Sequence, residues 1–292
     1  MHTRKSWRPS PSSAEQRPGA DGLQRPLRSR FQPQLRPGVG VLQHMDQELQ
    51  EFYEAIEDDN LDTVRRRLDR SPHLANAPWD HYGITPLMRA VSKEERNPAC
   101  VQLLLSAGAD VNAKTQEGYT ALHMFTEIYY QAEKAKTYVI AQLLKEAGAD
   151  VEATQHWDWT PLMMAAIEGQ EDEFRALLAI GCNPYVTYTE RSLPVFTRGQ
   201  SLLQVVLGRP QKVVALADYS YRFDATILER GTQSIREALE QPLPPPSPVL
   251  VRFLAGRGET YEAWQQQATR TFVAAVQESL HFIQGWLASQ GC

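Results

Sequence analysis

One eight-residue phrase is written three times along the chain, and no other feature constrains the fold as strongly. Its copies read Gly-Ile-Thr-Pro-Leu-Met-Arg-Ala at residues 83–90, Gly-Tyr-Thr-Ala-Leu-His-Met-Phe at residues 118–125 and Asp-Trp-Thr-Pro-Leu-Met-Met-Ala at residues 158–165. Ala-Gly-Ala-Asp-Val follows the first two copies, at residues 107–111 and 147–151. Successive copies of the phrase are 35 and 40 residues apart, and we call each such stretch a unit. A repeated unit of this length cannot bury its apolar face alone, so successive units are expected to stack on one another.

Each unit carries signals for the start and the end of helices. The threonine of the phrase suits an N-cap, because its hydroxyl can accept a hydrogen bond from a free amide of the first helical turn. Proline follows in two copies, at the first helical position, where its missing N–H costs nothing. A glycine that suits the left-handed residue after a helix closes each unit (Gly108, Gly148 and Gly181). The pattern therefore predicts helices that begin at the phrase and helices that end at these glycines.

The phrase resembles the ankyrin repeat, whose signature is Thr-Pro-Leu-His-x-Ala in a unit of about 33 residues made of a turn and two helices. The resemblance implies an all-α fold, an ankyrin-repeat solenoid of helix-turn-helix repeats with long turns, followed here by C-terminal helices. It implies a scaffold that binds other proteins, and it gives His123 a structural hydrogen-bonding role. It does not say what is bound.

The spacing of the units locates their insertions. Thr85 and Thr120 are 35 residues apart, Thr120 and Thr160 are 40 apart, and Thr160 and Ser201 are 41 apart. Because a stacked helix cannot lengthen without breaking the shared core, the extra residues are expected in loops. The first two insertions fall between the paired helices of a unit, at Ser92–Pro98 and Glu127–Thr137. The third falls in a turn, at Pro184–Gly199.

The chain divides into five segments. Residues 1–44 are basic, hold six prolines and few large apolar residues, and are expected to be disordered; a transit peptide or a dispensable extension before Met45 are the alternatives. Residues 45–225 are expected to form the ankyrin-repeat domain, with about five units and atypical caps at both ends. A helix at 226–241, a Pro-rich linker at 242–248 and a C-terminal helical cap at 249–292 are expected to follow.

A single long helix is predicted at Tyr261–Ser289. Apolar residues recur there at steps of three or four and form one stripe (Trp264, Ala268, Phe272, Val276, Leu280, Ile283 and Leu287). We expect this stripe to fold back onto the solenoid, since exposed apolar patches of that size are rare in monomers.

Charge and cysteine content exclude several classes of protein. The net charge is −5, but residues 1–44 carry eight Lys/Arg against two acidic residues, so the remainder of the chain carries −11. An acidic body argues against nucleic acid as the main partner. The three cysteines form no C-x-x-C pair or Cys/His cluster, so no metal site is predicted and a reducing, cytoplasmic location is expected. No apolar run reaches the ~18 residues of a membrane span. The chain is expected to be a monomer.

No catalytic constellation is recognised in the sequence. The sequence lacks a Gly-rich phosphate-binding loop between a strand and a helix, the zinc-protease motif H-E-x-x-H and the serine-hydrolase motif G-x-S-x-G. Its seven histidines are scattered along the chain. We therefore expect a non-catalytic adaptor or inhibitor without a cofactor, which binds a protein partner of unknown identity through the concave surface. Two alternatives stay open: an enzyme or small-molecule site between the last repeat and the C-terminal helices, and nucleic-acid association through residues 1–44.

The candidate binding residues lie on the turns between units, where ankyrin-type scaffolds recognise partners together with the inner helix face. These turns are rich in the aromatic residues that are enriched at binding hot spots. The partner-binding candidates are Trp79, Asp80, His81, Tyr82, Gln116, Glu117, Tyr119, His156, Trp157, Trp159, Tyr185 and Tyr188. Binding is favoured for Tyr82 and Tyr119, whereas packing under a neighbouring turn is an equal alternative for the tryptophans.

The expanded turn at residues 185–197 alternates Tyr or Val with Thr in its first half, which indicates a short hairpin. Such a hairpin either shapes the binding surface or fills a gap before the fifth unit.

Overall fold

The computed structural model describes residues 47–93, 95–126, 133–191, 199–219, 221–240 and 260–290. The segment 1–44, expected to be disordered, and the linker 242–248 lie outside these residues.

Within the described residues the chain forms twelve α-helices, ten of which occur as consecutive pairs. The first helices of the pairs are α1 (Gln47–Glu57), α3 (Pro86–Ser92), α5 (Ala121–Met124), α7 (Pro161–Ile167) and α9 (Leu202–Val206). The second helices are α2 (Leu61–Arg70), α4 (Pro98–Ser106), α6 (Lys134–Glu146), α8 (Glu171–Ala179) and α10 (Pro210–Asp218). A 3₁₀ turn at Pro72–Asn76 follows α2, and the remaining helices are α11 (Thr226–Glu240) and α12 (Tyr261–Ser289).

The pairs stack into one solenoid with a continuous interior. Each first helix packs on the first helix of the next pair, and each second helix packs on the next second helix. Leu87, Leu122 and Leu162, which occupy the same place in the three phrases, are at most 1% exposed and belong to one hydrophobic core. The expected all-α repeat fold is therefore confirmed.

The helix ends follow the signals in the sequence. The Oγ1 atoms of Thr85 and Thr160 each accept a hydrogen bond at 3.3 Å from the amide three residues on, and Ser201 does the same in the fifth unit. Gly108 and Gly148 end the second helices at φ +85° and +87°, a region that other residues rarely adopt.

His123 joins the third unit to the fourth. Its Nδ1 accepts a hydrogen bond from the Thr120 amide at 3.2 Å, so its Nε2 donates to the carbonyl oxygen of Trp159 at 3.0 Å. The side chain is buried, and burial lowers the pKa of the imidazole to about 4. The ring is therefore neutral near pH 7, and its role is structural, as the resemblance implies.

The first insertion lies between α3 and α4, as the spacing predicts. The second is expected wholly in a loop, but α6 begins at Lys134, inside the predicted range, and residues 127–132 lie outside the described residues. The predicted hairpin is reduced, within the described residues, to one antiparallel bridge between Thr187 and Ser201. Flanking hydrogen bonds run from the Tyr188 amide to the Gln200 oxygen and from the Leu202 amide to the Val186 oxygen, both at 2.9 Å. Residues 192–198 of this turn lie outside the described residues.

Two buried lysines bind the C-terminal ends of first helices, where carbonyl oxygens lack partners in the helix. Lys93 donates to two carbonyl oxygens at the end of α1, at 2.8 and 3.2 Å, and to the Asp59 carboxylate at 2.6 Å. Lys212 donates to three carbonyl oxygens at the end of α7, at 2.6 to 3.1 Å. Each lysine lies one unit beyond the helix that it binds, so these contacts tie neighbouring units together.

A buried ion pair spans the second to the fourth unit. Arg96, in the loop before α4, has one guanidinium nitrogen 3.2 Å from a carboxylate oxygen of Glu173 in α8, and both side chains are at most 1% exposed. Arg96 also donates to the Phe125 carbonyl oxygen, and its guanidinium lies 4.3 Å from the centroid of the Phe125 ring. Arg96 Nε and Glu173 Oε2 have no hydrogen-bond partner.

The last two helices cover the end of the solenoid. The helix predicted at Tyr261–Ser289 has these same limits, and it packs on α10 and α11. Val276, Ile283 and Leu287 of the predicted stripe are buried, and the Ser279 hydroxyl donates to the Leu207 carbonyl oxygen at 2.7 Å. The stripe therefore folds back onto the repeats, as the sequence predicts.

Candidate interaction surface

Four turns project side by side from the stacked units. We call residues 79–84, 114–119, 154–159 and 185–191 the turn-tip row. A backbone hydrogen bond closes each of the first three turns. It runs from Trp79 N to Ile84 O at 2.7 Å, from Thr115 N to Tyr119 O at 2.9 Å and from Gln155 N to Trp159 O at 3.2 Å. Gly83 and Gly118 have φ of +86°, and Asp158 takes the equivalent left-handed place at +60°. Asp158 is held there by the Thr189 hydroxyl, which donates to its carboxylate at 3.0 Å.

Neighbouring turns are tied together through their backbones. The Gln116 amide donates to the Tyr82 carbonyl oxygen at 2.8 Å, and the His156 amide donates to the Glu117 carbonyl oxygen at 3.0 Å. The Gln116 side chain adds a bond to the carbonyl oxygen of His81. The first three turns thus form a connected row whose side chains are presented in fixed register.

The structure divides the twelve candidate residues by exposure. The exposed ones are His81, Tyr82, Gln116, His156 and Tyr185. Four others are half-buried, namely Trp79, Asp80, Glu117 and Trp157.

Tyr119, Trp159 and Tyr188, in contrast, are buried and present little surface to a partner. The Tyr119 ring packs between those of His123 and Trp157, at centroid distances of 5.8 and 6.5 Å. Trp159 lies under Tyr188 at 5.8 Å, and the Tyr188 hydroxyl donates to a main-chain carbonyl oxygen of α7 at 2.7 Å. Each of these aromatic side chains packs against a neighbouring turn or the helix behind it, which stabilises the solenoid.

Trp79 and Asp80 also have structural contacts. The Trp79 ring lies 4.4 Å from that of Tyr53 in the first unit, in an edge-on arrangement. The Asp80 carboxylate accepts hydrogen bonds from the amides of Tyr82 and Ile84 at 3.0 and 3.3 Å and so shapes the first turn. These two residues position the exposed pair His81 and Tyr82.

The inner helix face contributes less surface than expected. Arg89, Met124, Met164 and Val205 occupy the same position in four first helices, four residues after the N-cap. Met124 and Met164 are 1% exposed, and Arg89 pairs with Glu57. Arg89 and Val205 are half-buried, so the exposed candidate residues lie mainly in the turn-tip row.

One contributor to the row could not have been found from the sequence. The Tyr221 ring stacks on that of Tyr185 at 4.6 Å with an interplanar angle of 14°, and the Tyr185 hydroxyl accepts a hydrogen bond from the Arg222 amide at 2.9 Å. No motif in residues 219–224 signals this contact. It holds a tyrosine that is 58% exposed in one orientation.

The described residues offer no group of three or more His, Cys, Asp and Glu side chains suited to a metal ion. Nor does any helix among them combine the length and apolar character needed to cross a membrane. Burial raises the pKa of the Cys100 and Cys182 thiols to about 11 and about 12, so both are protonated and poor nucleophiles.

An open groove of about 770 Å³ lies where the small-molecule alternative places a site, between α9 and α11. Its lining includes Gln204, Arg230 and Arg236. The Gln204 side chain already accepts from the Ser201 amide at 2.9 Å, and Arg236 donates to Gln233 at 2.8 Å. The nucleic-acid alternative depends on residues 1–44, which lie outside the described residues.

Comparison with known proteins agrees with the repeat architecture. Residues 95–188 match the family model of ankyrin repeats in three copies. No curated protein is significantly similar to the chain. The matched residues run from the loop before α4 to the fourth turn, through units that the structure shows stacked on one core. Residues 95–188 are therefore ankyrin repeats, and the units on either side continue the same stack.

Proposed function

We propose that this chain is a non-catalytic scaffold, an adaptor or inhibitor, that holds a protein partner on its turn-tip row. One observation carries the proposal: large aromatic side chains are exposed on turns that hydrogen bonds hold in place. Tyr82 lies on one of the three connected turns, and the Tyr185 hydroxyl accepts a bond from the Arg222 amide. Tyr82 is 39% exposed and Tyr185 is 58% exposed. Among the described residues, only Val139 is a further large hydrophobic residue with such exposure.

Physical arguments support binding at this row. Tyrosine buries a large area with few rotatable bonds, so it loses little conformational entropy when a partner covers it. The bonds from Gln116 to the first turn and from His156 to Glu117 hold the row in place before binding. Preorganisation of this kind reduces the entropy lost on association.

The proposal includes the oligomeric state and the cellular location of the protein. A monomer acting in the cytoplasm fits an acidic chain whose described cysteines, Cys100 and Cys182, are both buried as free thiols. The candidate contacts are the exposed and half-buried members of the row: Trp79, Asp80, His81, Tyr82, Gln116, Glu117, His156, Trp157 and Tyr185.

Affinity capture from native extract tests the proposal, with the wild-type chain compared with Tyr82→Ala and Tyr185→Ala. The matched control is Val139→Ala, because Val139 is 48% exposed on α6, away from the turn-tip row. We expect the two tyrosine variants to lose partners that the wild type and the control retain, with helical circular dichroism unchanged. Identical sets of captured proteins for all four chains would refute this binding surface.

A further inference from the structure

The turn-tip row contains a small cleft between its first and second turns. The cleft is lined by Tyr82, Ile84, Thr115, Glu117, Tyr119 and Met124. Ile84, Tyr119 and Met124 are buried and form its apolar floor. Its free volume of about 10 Å³ admits one water-sized group. A partner side chain must therefore lie across the mouth of this cleft rather than fill it.

Tyr82 forms the exposed wall of the cleft. Its ring packs on that of His81 at a centroid distance of 3.9 Å, so one face of the tyrosine is supported from behind. The hydroxyl makes no hydrogen bond within the described part of the chain, and the side chain is 39% exposed. An aromatic face in this setting attracts a cation or a methylene chain.

Glu117 supplies a negative charge at the same cleft. Its carboxylate has no ion pair or hydrogen bond among the residues that the structure describes, although the side chain is half-buried. The ammonium of Lys114, on the same turn, donates instead to the Thr154 carbonyl oxygen at 3.4 Å. A carboxylate without a cation on this half-buried residue favours a positively charged partner group.

The surroundings of the cleft are negatively charged, as Glu117 is. The four turns of the row carry four acidic residues and two basic ones, a net charge of −2. The chain beyond residue 44 carries −11. A basic segment of a partner is therefore attracted to this side of the molecule before it makes contact.

Resting on the function proposed above, we infer that the cleft recognises a lysine or arginine side chain of the protein partner. The methylene stem lies on the Tyr82 ring and covers the apolar mouth, and the cationic head pairs with the Glu117 carboxylate. The partner segment at this point is thus basic, and the binding is sensitive to salt.

Fluorescence anisotropy with two labelled synthetic peptides tests the inference, one made of alternating arginine and serine and the other of glutamate and serine. The full-length chain is expected to bind the basic peptide more tightly than the acidic one. Glu117→Gln and Tyr82→Ala are each expected to weaken that binding roughly tenfold, whereas Tyr82→Phe keeps it within about twofold, because the ring is retained.

Glu229→Gln is the matched control, since it removes the same charge from an exposed site on α11 outside the row. Equal weakening by Glu117→Gln and Glu229→Gln would mean that only overall charge attracts the peptide, and this would overturn the inference. Comparable binding of the two peptides would overturn it as well.

The captured partner separates this inference from the proposed function. If Tyr82→Ala loses the partner and Glu117→Gln retains it at full affinity, the row still binds proteins but the cationic contact is wrong. If neither Tyr82→Ala nor Tyr185→Ala affects the partner, the binding surface itself is wrong.

Discussion

The buried pair Arg96 and Glu173 gives the sharpest test of the energetics of this fold. Replacing Arg96 by Met leaves a carboxylate that is 1% exposed without its cation, and it removes the donor to the Phe125 carbonyl oxygen. Breaking a buried ion pair on one side costs about 3–5 kcal/mol of unfolding free energy. We expect Arg96→Met to lose stability in this range.

Replacing both partners is expected to cost far less. Only one contact, at 3.2 Å, joins the two charged groups, and Arg96 Nε and Glu173 Oε2 lack partners. Each ion therefore keeps one buried polar atom without a partner, and its desolvation is incompletely compensated. The double variant Arg96→Met/Glu173→Leu should lie within about 1 kcal/mol of the wild type or above it. Lys134→Met is the control, because its pair with Asp172 is exposed and contributes less than about 1 kcal/mol.

The pH dependence of Arg96→Met adds a second criterion. Burial raises the pKa of Glu173 above its ordinary value, and Arg96 opposes this shift. Without Arg96 that folded-state pKa rises further. Because an acid with a raised folded-state pKa gains stability as the pH falls through that value, the deficit of the variant should shrink in acid.

Urea denaturation, monitored by circular dichroism at neutral and at acidic pH, measures the unfolding free energy of the wild type and of each variant. The reasoning fails if the double variant is less stable than Arg96→Met. It also fails if the deficit of Arg96→Met grows as the pH falls.

Three further changes have defined expected outcomes. Gly231→Ala should cost about 1–3 kcal/mol despite the better helix propensity of alanine, because its Cβ would overlap the Leu280 side chain, whereas Gly285→Ala, with open space around it, should be neutral or stabilising in thermal denaturation. The folded-state pKa of His123 is about 4, below its unfolded value of about 6.5, so the wild type should lose up to about 3 kcal/mol of unfolding free energy as the pH falls through this window. Urea titrations of His123→Gln should lack this pH-dependent loss. Cys100 and Cys182 should resist alkylation at pH 8 in the native protein and react after denaturation, as peptide mapping by mass spectrometry would detect.

Local signals were sufficient to predict the repeats and the last helix. The hydroxyls of Thr85 and Thr160 cap helices because that role depends on the next three residues alone. The helix at Tyr261–Ser289 follows from an unbroken apolar stripe. Such features need no knowledge of distant contacts.

The binding surface could be predicted only in part, because exposure depends on neighbouring units. Tyr119 and Trp159 occupy the same place in successive phrases as Ile84, and all three are buried. That place faces inward in each turn, whereas Tyr82 projects outward. The contact of Arg96 with Glu173 depends on how the loop before α4 reaches across the third unit, and no periodic signal encodes it.

Hydrogen-exchange mass spectrometry of the complex with a captured partner tests the central claim most directly. Partner recognition by the turn-tip row requires slower exchange in residues 79–84, 114–119, 154–159 and 185–191 on binding, with α4, α6 and α8 unchanged. Protection confined to those second helices, or to the groove between α9 and α11, would contradict the account.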